Sequence, residues 1–155
     1  MNLNVSMPLS FEANALVFQD TVAFDLSNSS PHGLDAIKDG VFTVFADNGY
    51  PLQANLQLYL YDEWGGFLDS LIIAPHTISA APLNANCKVD PPLRSTLQVV
   101  ADENKMNKIR NAKTAVVRAE FDMHAPASCG NYTKIYSTYN LSVKLTGKFT
   151  YEVSQ

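Results

Sequence analysis

Charge is scarce in this sequence. Only 17% of its residues are Asp, Glu, Lys or Arg, below the usual quarter, and the basic residues form no cluster. With a net charge of -4 the chain lacks the positive footprint that a phosphate backbone demands, which excludes nucleic acid as the expected partner. Long apolar runs are also missing, so no transmembrane segment is expected. The start, MNLNVSMPLS, has neither the basic nor the apolar region of a signal peptide; if the protein is exported, the expectation is that its signal has been trimmed. Cysteine is limited to Cys87 and Cys129, both in expected loops, and one disulfide or two free thiols remain open alternatives.

The familiar chemical motifs are absent too. His32, His76 and His124 are scattered and there is no CxxC pair or HExxH helix, so no metal site is expected. There is no GxSxG elbow and no glycine-rich phosphate loop, so neither a serine hydrolase nor a cofactor is expected. The adjacent acids Asp62 and Glu63, and Asp102 and Glu103, fall at element ends where solvated turn or cap carboxylates belong. His124 and Cys129 stand close in sequence, but the loop HAPASCG advertises neither a third activating group nor a pocket. The expectation is a non-enzyme. A hydrolase built on Asp62 with Glu63, or on His124 with Cys129, ranks third.

What is present is alternation. From Ile135 the odd positions run Ile, Ser, Tyr, Leu, Val, Leu, Gly, Phe, Tyr and Val, against polar residues at nearly every even position. This period of two predicts a strand with one face in the core and one in water, far longer than the usual five or six residues. A bend or break is expected near Gly147, where the inward row lacks a side chain. Leu3 to Phe11 alternates likewise, with Pro8 pointing to an edge or bulge, and Leu16 to Leu26 follows with Asp20 interrupting. Val41 to Ala46 reads as a strand closed by the turn residues Asp47, Asn48 and Gly49. Leu52 to Leu60 gives another inward row, and Phe67 to Ile73 returns from it as a hairpin with Trp64 near the tip.

Ala74 to Arg94 carries four prolines and no period, which predicts a long irregular connection. Thr96 to Ala101 and Ala115 to Met123 read as strands. Between them Asp102 as N-cap, with Met106 and Ile109 at helical spacing, predicts one short helix. The 155 residues suit a single domain, 1–155, and strands that do not alternate with helices argue against a parallel sheet. The expected fold is all-β: an antiparallel β-sandwich, immunoglobulin-like in outline, of about eight strands with one short helix.

Binding is the function these residues favour. Tyr59 and Tyr61 fall on the polar face of their strand, Trp64 stands at its end, and Tyr136 precedes the last strand. Such rings contact sugars or anchor protein partners, although tyrosines across strands also stabilise sheets. Trp64, Tyr61, Tyr59 and Tyr136 are therefore the candidate ligand-binding residues. An alternative comes from the long final strand and the interrupted Leu16 to Leu26 strand, since a strongly curved sheet would enclose a cavity carrying lipid or another apolar ligand. Sequons at Asn4, Asn28, Asn131 and Asn140 matter only in a glycosylating host.

The series MPLSFEANALVFQDTVAFDL, NGYPLQANLQLYLYDEWGGFLDSL, KIRNAKTAVVRAEFD and KIYSTYNLSVKLTGKF resembles the C-terminal β-rich domain of exported lipoproteins and surface proteins of Bacteroidetes-type bacteria. The shared features are the NGYPL step before an alternating strand, the Asp-Ser-Leu return, the short helix before a strand, and the tyrosine-bearing final strand. The resemblance implies location rather than activity: a non-catalytic cell-envelope or extracellular module, exported, with an unknown protein or glycan as partner. It brings no catalytic residues.

Overall fold

Alternation becomes structure most plainly in Ala54–Tyr61, where Ala54, Leu56, Leu58 and Leu60 are buried and the residues between them face outward. The computed structural model describes residues 2–6, 10–12, 15–123, 129–130 and 133–152. Among these the strands are β1 (Asn2–Ser6), β2 (Ser10–Glu12), β3 (Ala15–Ala23), β4 (Ile37–Asn48), β5 (Ala54–Tyr61), β6 (Phe67–Ser70), β7 (His76–Ile78), β8 (Leu93–Ala101), β9 (Thr114–Phe121) and β10 (Leu141–Tyr151). The helix is α1 (Glu103–Ile109). One sheet has the order β1-β10-β4-β8 and the other β2-β3-β9-β5-β6, with β7 also on β5. The all-β antiparallel sandwich is thus observed, its strand number raised to ten by the three-residue β2 and β7.

With β2 and β7 set aside, the other eight strands pair as one long hairpin: β1 with β10, β3 with β9, β4 with β8, and β5 with β6, all antiparallel. That hairpin is rolled up so that β10 also pairs with β4, and β9 with β5. This is jelly-roll wiring, and the likeness to an immunoglobulin sandwich stops at the outline of two antiparallel sheets.

Three local readings change. Asp47 and Asn48 do not close a tight hairpin; both belong to β4, and the chain then crosses to β5 in the opposite sheet. The alternating N-terminal run is not one strand, because β1 pairs in one sheet and β2 in the other; Pro8 lies outside the described residues. The last strand starts only at Leu141 and runs past Gly147 in register, with the irregularity at Thr150 and Tyr151. The gap at Gly147 is occupied rather than broken. A Cβ there would come within 2.5 Å of the Phe149 ring, and one at Gly40, the strand partner of Phe149, would also meet it at 2.5 Å. The two glycines make room for Phe149 to pack edge-on against Phe42, 5.4 Å between centroids.

The inward rows of the two sheets meet in one hydrophobic cluster, with Phe18, Phe24, Phe42 and Phe121 among its buried side chains. Rows that would line the cavity of an apolar-ligand carrier are packed against one another instead, so the curved-sheet alternative gains no support. Helix α1 buries Met106 and Ile109 as its spacing predicts, touching β4, β6 and β8. Its N-terminus is held by Asp102, whose carboxylate accepts the Lys105 backbone N–H at 2.9 Å. Asp102→Ala will lower stability by about 1 kcal/mol, read as a fall in the urea midpoint with unchanged slope; no change would mean that packing alone sets the helix start.

Candidate functional site

The tip of the β5–β6 hairpin is built by Asp62. Its backbone N–H donates to the Gly66 carbonyl (2.9 Å), and its Oδ1 accepts the backbone N–H groups of Trp64 (2.9 Å) and Gly66 (2.7 Å). Gly65 has φ +81°, a conformation that favours glycine, and a Cβ on Gly66 would strike the Asp62 carboxylate at 2.6 Å. Trp64 lies within this turn, its backbone N–H held by that carboxylate. It is 84% exposed.

The rings of Tyr59 and Tyr61 lie on the outward face of β5, half-buried, and both meet Phe67 edge-on at 6.4 and 5.7 Å. Phe67 is itself 58% exposed. Tyr59, Tyr61 and Phe67 therefore form one aromatic surface, and Trp64 stands at the tip of the same hairpin. The sequence signal for Phe67 existed, since it opens the returning strand directly across from Tyr61.

Tyr136 is elsewhere. It lines a cleft of about 340 Å³ together with Gly49, Asn84, Asp90, Tyr139 and Asn140, at the end of the sandwich where β4 finishes and β10 begins. The eight residues of β5 rise about 3.3 Å each, so the hairpin tip and this end stand roughly 23 Å apart.

Behind Tyr136 a continuous path of rings runs into the core. Tyr136 meets Tyr139 at 5.3 Å, Tyr139 meets Tyr50 at 5.9 Å, and Tyr50 meets Phe18 and Phe121 at 5.3 and 5.1 Å. The Tyr50 hydroxyl donates to the Tyr139 carbonyl at 2.9 Å, and burial pushes its pKa above the ordinary phenol value, keeping the proton in that bond. Asn48, fully buried, anchors the corner: its amide donates to the carbonyls of Leu52 (2.8 Å) and Ser79 (2.9 Å), and its oxygen accepts the Tyr50 N–H (2.9 Å).

The facing wall is the loop Asn84–Asp90. The Asn84 side chain accepts the backbone N–H groups of Asn86 (2.9 Å) and Lys88 (3.1 Å), and the Val89 N–H donates to the Tyr139 hydroxyl at 3.0 Å. Cys87 is bonded to Cys129, which resolves the two alternatives left by the sequence. The Lys88 ammonium sits 5.2 Å from the Tyr136 ring centre.

The catalytic alternatives find no geometry here. Asp62 is occupied as a turn acceptor beside an exposed Glu63, Cys129 is a half-cystine without a thiol, and His124 lies outside the described residues. Among the described residues no three His, Cys, Asp or Glu side chains gather as metal ligands. No described helix is long and apolar enough to cross a membrane.

No family model and no curated protein matches the chain. Among solved structures it is similar to a protein of Parabacteroides distasonis, a Bacteroidetes species, described as secreted: TM-score 0.58, 12% identity, covering 86% of this chain and 38% of that one. It is also similar to VP2 of the infectious bursal disease virus subviral particle, with TM-score 0.53 and 10% identity over 95% of this chain and 32% of that one. At such identities the likeness is one of fold. The chain spans well under half the length of either protein.

Proposed function

We propose that this chain is a non-catalytic, exported β-sandwich module that docks a protein partner through the hairpin tip. The observation that carries the reading is Trp64, the sole tryptophan, 84% exposed in a turn closed by the backbone and the Oδ1 of Asp62. A ring of this size in water gains nothing from the fold. Inserted into a partner's pocket, it would bury some 150–250 Å² of mainly apolar surface, with Phe67, Tyr61 and Tyr59 excluding water around it.

Exposure of the ring at a hairpin tip favours a protein over a small ligand, because a projecting ring needs a cavity supplied by the other side. Residence outside the cytosol is supported by the Cys87–Cys129 bridge, since disulfides persist in oxidising compartments, and by the fold shared with a protein described as secreted. The sequence resemblance to envelope proteins points the same way.

A photoreactive amino acid placed at position 64 in the producing cell should give a discrete protein adduct that the same group at exposed Thr96, on β8, does not. Against the partner so identified, Trp64→Ala should weaken binding about thirtyfold or more. Identical smears from both positions would end the reading. With only one tryptophan in the chain, a blue shift of its fluorescence on engagement reports burial of that residue directly.

A further inference from the structure

The geometry points to a second site: we propose that the cleft between the Asn84–Asp90 loop and Tyr136–Asn140 binds a neutral mono- or disaccharide, its loop wall held by the Cys87–Cys129 bridge. This inference does not rest on the hairpin reading, and the two sites lie at opposite ends of the sandwich. Unlike the hairpin tip, this end is concave. Its volume of about 340 Å³ falls at the small end of the roughly 300–1,000 Å³ that ligand pockets span, which suits one or two sugar rings.

The chemistry of the lining selects the ligand class. A sugar ring offers an apolar C–H face and a rim of hydroxyls, each both donor and acceptor. The cleft offers the matching set. Tyr136 and Tyr139 supply aromatic surface, while Asn86, Asp90, Thr138 and Asn140 supply amide, carboxylate and hydroxyl groups. None of those four polar side chains makes a hydrogen bond or ion pair within the described residues, so their bonding capacity is available at the cleft. Lys88 and Asp90 carry opposite charges, leaving the lining without net charge and disfavouring a phosphate or polyanion.

The site is also preorganised, which lowers the cost of ordering it around a ligand. The Asn84 side chain, the Tyr139 hydroxyl and the disulfide hold the loop from three directions, and the ring path through Tyr50 backs Tyr136 with the core. Gly49 adds a close approach, since a Cβ there would come within 2.7 Å of the Asn140 carbonyl oxygen. The bridge thus has a role beyond stability: it positions the wall that carries Asn86 and Asp90.

The test is calorimetric and NMR titration of the whole chain with cellobiose, lactose, maltose and N,N′-diacetylchitobiose. At least one should bind with a Kd of about 1 mM or tighter. Tyr136→Ala and Asp90→Ala should each weaken that binding about tenfold or more, while Tyr136→Phe retains most of it and Trp64→Ala leaves it unchanged. The double substitution Cys87→Ser with Cys129→Ser should weaken it as well, with circular dichroism establishing that each variant is folded. The proposal is overturned if none of the four sugars binds, if binding survives both Tyr136→Ala and Asp90→Ala, or if Trp64→Ala removes it. The first two outcomes leave the protein-docking role of Trp64 untouched; the last would transfer the sugar to the hairpin and count against that role as well.

Discussion

Asn48→Leu will lower the unfolding free energy by about 3–5 kcal/mol, more than any surface change in this protein. Leucine matches asparagine closely in shape, so no large cavity results. What is lost is a set of three hydrogen bonds at a fully buried point: two from the amide to the Leu52 and Ser79 carbonyls, and one accepted from Tyr50. The three backbone groups stay behind without partners, and each buried orphan costs about 1–3 kcal/mol. Against a typical stability of about 5–15 kcal/mol this is a large share.

The damage should spread in one direction. Asn48 sets Tyr50, and Tyr50 bonds Tyr139 behind the cleft, so chemical shifts should move at Tyr139 and Tyr136 and remain fixed at Trp64. Urea unfolding with amide NMR checks both parts. A loss under about 1 kcal/mol would mean that water replaces the asparagine, and the account of this corner would be wrong.

Removing the bridge by Cys87→Ser with Cys129→Ser should cost about 4 kcal/mol under oxidising conditions, the chain-entropy value for closing a loop of 42 residues. The link is non-local, joining the connection between β7 and β8 to the connection between β9 and β10. Its loss therefore frees the unfolded chain and also releases one wall of the cleft. The comparison that isolates the bridge is unfolding of wild type and double variant, each with and without dithiothreitol. Wild type should fall to the level of the variant when reduced, and the variant should not respond. Equal stability in all four conditions would show that the native state gives back in strain what the unfolded state loses in entropy.

Much of the architecture was legible because a strand with one buried face writes its register into the sequence. Ala54 to Leu60 and Ala115 to Phe121 alternate and are buried as read, whereas Met123, read as the next inward residue, lies past the end of β9 and is 47% exposed. Helix α1 was legible for a similar local reason, with Asp102 capping and Met106 and Ile109 sharing a face. The site was legible by halves. Parity placed Tyr59 and Tyr61 outward and the turn residues placed Trp64 at a tip, but nothing local separates Tyr136 from them. Its membership of a different surface depends on where Tyr50 and the Asn84–Asp90 loop arrive from 46 to 86 positions away along the chain.

The sequence by itself determined that this protein is an antiparallel β-sandwich with a single short helix and a hairpin with Trp64 near its tip, since periodicity, capping and turn chemistry act over a few residues. Tertiary structure alone decided the rest. Asn48 could open a hairpin or end a long strand, and the choice came from burial of its amide against carbonyls at Leu52 and Ser79. Gly147 could break a strand or seat a ring, and Phe149 with Gly40 decided for the ring. Cys87 and Cys129 could be thiols or a bridge, and the folding of two distant loops onto one end of the sandwich brought them together. In each case the local chemistry allowed two outcomes of similar energy, and contacts with residues remote in sequence supplied the difference.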